Sequence, residues 1–385
     1  MYSSIYKEAK ELYDELVSWR RQLHRMPELG LELPQTSAFI QKKLTEFGIP
    51  IETKVNGSCV VGYLGAGDRC LLLRADMDGL PISEEAKLPF ASENGNMHAC
   101  GHDMHAAALL GAARLLKRHE GELRGTVKLL FQPGEETFSG ARAAMAEGIL
   151  ENPKVDAAYA SHMVSQTPVG TLAYGTVTAT SVYGFKITIT GKGTHGAMPH
   201  NGIDPINVGV QIYQGLQQLI ARECDPAEAV TLTIGQFNAG TVNNIIPETA
   251  VLQGTLRTFN NEVKACLIRR IQEIVTGIAG AFHAESKIQV LTDIPALCCN
   301  EERNERLAEV FHSMDPELQI LSGLRTTASE DFAAISDQVP SSYFMIGAKD
   351  DSDTVYAHHN PKVCFNEQAL PVAAAAYACA ALDWK

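Results

Sequence analysis

Three apolar runs, over residues 70–75, 126–132 and 155–161, constrain this chain of 385 residues more than any other feature. Each is the kind of largely apolar segment that a mostly parallel sheet buries on both faces. Each also ends at a residue able to bind a metal or move a proton. The first runs into Asp76-Met77-Asp78-Gly79-Leu80-Pro81, the second into Pro133-Gly134-Glu135-Glu136 and the third into His162. In open α/β sheets the carboxyl ends of the strands converge on one crevice. The pattern therefore predicts an α/β fold, a sheet flanked by helices, with a chemical site along one sheet edge.

The segment between the first two runs reinforces that reading. Met97-His98-Ala99-Cys100-Gly101-His102-Asp103-Met104-His105 packs three imidazoles, a thiol and a carboxylate into nine residues. Apolar positions 106, 109, 110, 113 and 116 follow at helical spacing, so the cluster sits where a loop enters a helix over 106–117. Gly101 lets the backbone turn tightly enough for Cys100 and His102 to face one centre. Asp76 and Asp78, two apart, can lie on one side of an extended segment, although Asp before Gly and Pro is also ordinary turn chemistry. Adjacent glutamates on a loop are usually solvated, but Glu135 and Glu136 follow a buried-type strand and precede a helix expected over 141–147.

The flanking chain fits the same plan. Helices are expected over about 5–25, 36–47 and 301–313, and a strand over 55–64. From about residue 181 the texture changes, with period-two alternation at 185–190 marking a strand that has one exposed face. A helix over 204–221, strands over 230–237 and 249–259, a helix over 262–282 and a strand over 287–292 complete a strand-helix-strand-strand-helix-strand order. That order fits a ferredoxin-like α+β module inserted into a larger domain. A chain of this length is expected to hold two domains, here a first domain over 1–181 and 293–385 interrupted by a second over 182–292. The insert carries a histidine-bearing Gly-rich loop over 191–200, which lacks the spacing of a phosphate-cradling loop, and a polar turn over 240–247. The C-terminal part adds Ser329-Glu330-Asp331-Phe332 and Ala357-His358-His359-Asn360-Pro361, where one of the two histidines would complete a ligand set.

Composition narrows the partners. With 32 basic against 45 acidic residues the net charge is −13, which argues against nucleic acid and anionic membranes. The nine cysteines are odd in number and show no CxxC pair, so they read as reduced thiols. No apolar run has signal-peptide or membrane-spanning length, and the expected location is the cytoplasm.

Taken together, residues 74–81, 98–103, 131–136, 191–199 and 240–247 with His359-Asn360-Pro361 resemble one family, the metal-dependent amidohydrolases. This group includes aminoacylases, hippurate hydrolases and auxin-conjugate hydrolases, within the wider glutamate-carboxypeptidase-like metallopeptidases. The resemblance implies a dinuclear-metal, exopeptidase-like catalytic domain with a mixed sheet, and an inserted lid and dimerisation domain. It implies that Cys100, His102, Glu136, His162 and His359 hold two divalent ions, zinc or manganese, with cobalt or nickel as further candidates. Glu135 would be the general acid/base, and Asp78 would orient the site from just outside the ligands, while Asp76 has no assigned role. Gly134 stands where alanine is more usual, a difference expected to be harmless. His195 would reach the active site of a partner subunit in a homodimer, and Asn243 or Asn244 and Arg257 would grip a substrate carboxylate, Arg257 in bidentate fashion.

The chemistry implied is hydrolysis of the amide in an N-acyl amino acid or similar small amide, releasing a carboxylic acid and an amine. Paired divalent cations activate water and polarise an amide carbonyl, and a glutamate beside them can carry the proton to the leaving amine. The nearest rival is a dipeptidase or carboxypeptidase. A catalytically silent metal-binding protein would not need Glu135, and a nucleotide-binding enzyme would need a phosphate loop or dinucleotide fingerprint that the sequence lacks.

Overall fold

A computed structural model describes residues 1–384. The chain opens with helices α1 (Tyr2–Glu11) and α2 (Tyr13–His24). The sequence predicted one helix here, and the interruption is Leu12, whose ψ of 2° leaves the helical region. Helix α3 (Pro34–Glu46) follows, with proline in its first turn, where a missing N–H costs nothing. The single strand expected over 55–64 is instead a hairpin of β1 (Ile51–Lys54) and β2 (Cys59–Leu64). Its turn holds Val55 and Asn56 at φ 50° and 53°, left-handed values that strand pairing cannot use.

Next come β3 (Cys70–Asp76), α4 (His102–Arg118), β4 (Thr126–Gln132), α5 (Gly140–Ala146), β5 (Ala157–Val164) and β6 (Thr171–Tyr174). The middle of the chain supplies β7 (Val182–Thr190), α6 (Pro205–Gln218), β8 (Val230–Ala239), β9 (Thr249–Thr258), α7 (Asn261–Ala281) and β10 (Glu285–Ile294). The chain then returns through α8 (Glu301–Met314), β11 (Gln319–Leu321), β12 (Ser341–Gly347) and α9 (Ala369–Asp383). Two compact units result: 1–178 with 298–325 and 331–385, and 179–297 with 326–330.

The larger unit is built on an eight-stranded sheet in the order β1-β2-β4-β3-β5-β12-β6-β11. Its centre is parallel, β4 with β3, β3 with β5 and β5 with β12. Antiparallel pairs appear beyond it, β1 with β2, β2 with β4 and β12 with β6. The sheet is thus mixed. All seven residues of β3 are buried, as a central strand covered on both faces requires. Helix α9 is buried along its whole length and is mostly alanine, and it packs against α4, where Leu109, Leu110, Leu115 and Leu116 are fully buried. Truncating one such leucine to alanine costs about 2–5 kcal/mol.

The smaller unit is a four-stranded antiparallel sheet in the order β8-β9-β7-β10. With α6 and α7 connecting the strands, this is the ferredoxin-like arrangement. Asp204 and Asn260 cap α6 and α7 by accepting backbone N–H groups of the first turn. Phe185, Ile187 and Ile189 of β7, with Val208, Ile212 and Leu216 of α6 and Leu267, Ile271 and Val275 of α7, form its core. Among the described residues no helix is long and apolar enough to cross a membrane.

Candidate metal centre

The loop after β4, the segment before α4 and the strand β5 bring the sequence-predicted ligands together. Gly101 sits at φ 88° immediately before α4, a left-handed value that glycine adopts without strain. Cys100 and His102 on either side of it face the same centre. His162 lies within β5 rather than just past its end, because pairing with β12 continues through Val164. Gly134, at φ 75°, turns the chain so that Glu135 and Glu136 project from the loop. A Cβ there would lie 2.6 Å from the Leu31 side chain, so this turn suits glycine.

The distances define a compact cluster. Cys100 Sγ lies 3.4 Å from His162 Nε2. Glu136 Oε1 lies 3.5 Å from His359 Nε2 and 3.8 Å from His102 Nε2, and Glu135 Oε2 is 4.0 Å from His102 Nε2. Cys100, Glu136 and His359 can share one ion, as can His102, Glu135 and Glu136, since their ligand atoms lie within 4.8 Å of one another. The same holds for Cys100, His162 and His358. The resemblance implies His359 as the ligand of the pair, yet His358 Nδ1 lies 3.7 Å from Cys100 Sγ and its ring stacks on His162 at 5.1 Å. Both members of the His-His pair therefore reach the centre.

His102 and His162 are each aimed by what the other ring nitrogen does. His102 Nδ1–H donates to the Asp78 carbonyl at 2.9 Å, and His162 Nδ1–H to the Met163 carbonyl at 2.7 Å, which leaves both Nε2 atoms facing inward. Asp78 does more than the sequence suggested. Its carboxylate accepts the backbone N–H groups of Glu135 at 3.0 Å and Glu136 at 3.1 Å, so one residue orients a histidine and both glutamates. His105, the third imidazole beside the site, has both nitrogens engaged, Nδ1 with Asp76 at 2.5 Å and Nε2 accepting the Met163 N–H at 2.8 Å. It supports β5 instead of offering a lone pair. Asp103 turns away and pairs with Arg20 at 2.7 Å and His24 at 2.8 Å.

Whether these residues fit a cation can be judged from two atoms. His102 Nε2 and Glu136 Oε1 are buried without any hydrogen-bond partner, and an unsatisfied buried polar atom costs about 1–3 kcal/mol. A divalent cation would satisfy both. The donor set of thiol, imidazole and carboxylate suits zinc through sulfur and nitrogen and manganese through oxygen.

Without a cation the site holds protons. Burial raises the Cys100 thiol well above its ordinary value. Burial likewise pushes Glu136 up to about 7. For His102 burial works against the charged form, but Asp76, Asp78 and Cys100 outweigh it and hold the imidazole well above its usual value. Burial carries His162 well below the usual histidine range and His358 down to about 4, so both offer neutral rings. Asp76 is held well below the carboxylate range because Arg74, His102 and His105 overcome its burial. The role left open for Asp76 is thus structural: it anchors His105 and pairs with Arg74 at 2.6 Å.

The remaining sequence-predicted residues belong to the smaller unit. His195 is exposed on a two-residue strand paired with Ile245, its Nδ1 accepting the Ala197 N–H at 3.0 Å. Asn243 and Asn244 are exposed, and the Asn244 carbonyl accepts the Gly196 N–H at 2.8 Å, which fixes the two polar loops against each other. Arg257, on β9, is half-buried and hydrogen-bonds the Ser329 hydroxyl. Burial lowers its pKa from the ordinary arginine value.

Comparison with known proteins agrees with this geometry. An N-acetyl-L-cysteine deacetylase of Bacillus subtilis is 38% identical over 93% of this chain and 85% of its own length. The IAA-amino acid hydrolase ILR1-like 2 of Arabidopsis thaliana is 34% identical over 98% of this chain and 87% of its own. The crystal structure of the Bacillus subtilis YXEP protein, described as a dinuclear metal binding peptidase, superposes with a TM-score of 0.82 at 31% identity, covering 97% of this chain and 98% of that one. The family description "Peptidase family M20/M25/M40" matches residues 72–383, which include every ligand described above. The chain belongs to that family and is a metal-dependent amidohydrolase.

Proposed function

We propose that this enzyme hydrolyses the amide bond of N-acyl amino acids, or of closely similar small amides, with two divalent cations held by Cys100, His102, Glu136, His162 and His359. The observation that carries the reading is the meeting of those five side chains around the unpartnered His102 Nε2 and Glu136 Oε1, with Glu135 beside them. Such a pair of cations supplies an activated water and a Lewis acid at the amide carbonyl. Glu135 takes the proton of the attacking water and delivers it to the leaving amine nitrogen. Asp78, through the amides of Glu135 and Glu136, keeps one carboxylate for the cations and its neighbour for the proton. Arg257 with Asn243 or Asn244 grips the substrate carboxylate, and His195 stabilises the oxyanion in the active site of a partner subunit.

The proposal includes a homodimer formed through the smaller unit, which would act as lid and dimer surface. Ile206, Val210 and Tyr213 lie along one face of α6 at 38–42% exposure. Phe237 on β8 packs beside that face, near Gly209, and the resulting apolar patch supports an interface. It also includes a reducing, cytoplasmic location, supported by Cys59, Cys70 and Cys379 lying as thiols in the apolar interior.

The purified protein, loaded with zinc or manganese, is expected to release acetate or benzoate from blocked amino acids and to act poorly on unblocked dipeptides. The reverse preference would select the peptidase reading, which likeness to a dinuclear metal binding peptidase favours. Hydrolysis of neither class would remove the proposal.

A further inference from the structure

The Ser329-Glu330-Asp331-Phe332 segment stood out in the sequence, and the proposed chemistry leaves it unused. We propose that Asp331 is the positioning residue for Glu135, holding that carboxylate where it can exchange a proton with the attacking water. The inference rests on the reading of Glu135 as general acid/base.

Asp331 is fully buried. Its backbone N–H donates to Glu135 Oε1 at 3.4 Å, a contact between residues 196 apart in sequence. That amide is fixed by the Asp331 side chain. Oδ1 accepts from Arg74 at 2.7 Å, both carboxylate oxygens accept from Gln132 Nε2 at 2.9 Å, and Oδ2 accepts the Ala141 N–H at 2.8 Å. Gln132 is the last residue of β4, and Ala141 lies in the first turn of α5. A single carboxylate therefore ties the chain immediately before and immediately after the loop that carries Glu135 and Glu136. Asp78 secures the middle of that loop from the opposite side of the sequence.

The clamp is continuous with the rest of the centre. Arg74 also donates to Asp76 at 2.6 Å and to Gln132 Oε1 at 3.1 Å. Asp76 in turn holds His105, and His105 Nε2 accepts the N–H of Met163, the neighbour of His162. Arg74, Asp76, His105, Gln132 and Asp331 are each at most 1% exposed. Apolar side chains of similar volume would serve folding about as well as such a buried charged array. Fixed geometry at the reacting groups is what the array adds, because a misplaced general base loses rate steeply.

The test uses the full-length, metal-loaded enzyme, with Glu135→Gln as the reference. Asp331→Asn keeps the shape but turns one acceptor into a donor that faces the donors of Gln132 and Ala141. It is expected to lower kcat about 10- to 100-fold, with KM altered by less than about threefold and the metal content unchanged. Crystals of the metal-free Asp331→Asn protein are expected to show the Glu135 carboxylate displaced by about 1 Å or more from its wild-type position. If Asp331→Asn does not fold, Gln132→Met decides: it frees only the β4 side of the clamp and is expected to reduce kcat with the same sparing of KM and metal. A folded variant with wild-type kcat and an unmoved Glu135, or a rate loss that merely follows lost metal or lost folded protein, overturns the role. Abolished turnover in Glu135→Gln alongside a wild-type rate in Asp331→Asn overturns the positioning role alone. Full activity in Glu135→Gln overturns both this role and the reading on which it rests.

Discussion

The two units carry their candidate residues in opposite ways. In the larger unit four of the groups at the centre are aimed by a second contact: His102 by the Asp78 carbonyl, His162 by the Met163 carbonyl, Glu135 and Glu136 by the Asp78 carboxylate. In the smaller unit His195, on a two-residue strand, and Asn243 and Asn244, on the adjoining turn, are exposed and held by a few backbone hydrogen bonds. Rigid strand ends suit groups that must hold a fixed geometry, whereas surface loops suit groups that meet a substrate. Under the proposed function, the larger unit would bind cations and move a proton, and the smaller one would recognise what is cleaved.

That contrast breaks most sharply at Glu135. Glu135→Gln is expected to lower kcat by about 10²–10⁴-fold while leaving metal content intact, measured by steady-state kinetics beside elemental analysis; loss of metal would move Glu135 from the proton path to the ligand set. Asp78→Ala removes the carboxylate that accepts the Glu135 and Glu136 amides, while the backbone carbonyl that orients His102 remains, and should cost about 10- to 100-fold in metal affinity or activity. A wild-type affinity and rate would show that the loop holds its shape unaided.

Acidity sharpens the same point. In the metal-free centre burial keeps the Cys100 thiol protonated and Glu136 at about 7, and acidic neighbours keep a proton on His102 despite its burial. Ligation requires thiolate, carboxylate and neutral imidazole, so cation binding releases protons and apparent affinity rises with pH. Titration calorimetry at pH 6 and pH 8 is expected to give an affinity weaker at pH 6 by about tenfold or more, and equal affinities would contradict the protonation states described.

The smaller unit should respond differently. His195→Ala is expected to reduce kcat without changing metal content or thermal stability. Mixing and re-forming dimers of His195→Ala with Glu135→Gln should restore about a quarter of wild-type sites, because one site of each mixed dimer regains both groups. No recovery would confine His195 to its own subunit or remove it from the reaction.

Much of this was legible in the chain because burial and chemistry coincide there. Residues 70–75 and 126–132 announce central strands by their apolar runs, and Asp78, Cys100, His102, Glu135 and Glu136 follow or interrupt such elements where surface charge has no reason to sit. What stayed hidden depends on long-range pairing. The hairpin at 51–64 differs from the single strand expected because Val55 belongs by propensity to a strand but occupies a left-handed turn. The Asn-Pro pair after His359 points to that ring, and no local pattern shows that the adjacent His358 also lies beside Cys100 and His162. Asp331 and Arg74 meet across 257 positions, and no local pattern signals that contact. His105 was visible as an imidazole, but its support of β5 through the Met163 amide required the fold.

The central claim is tested most directly by locating the cations. Crystals grown with zinc or manganese, measured for anomalous scattering, should show two peaks per chain within bonding distance of Cys100, His102, Glu136, His162 and one or both of His358 and His359. Peaks elsewhere, or none at this cluster in a metal-saturated and active preparation, would contradict the account.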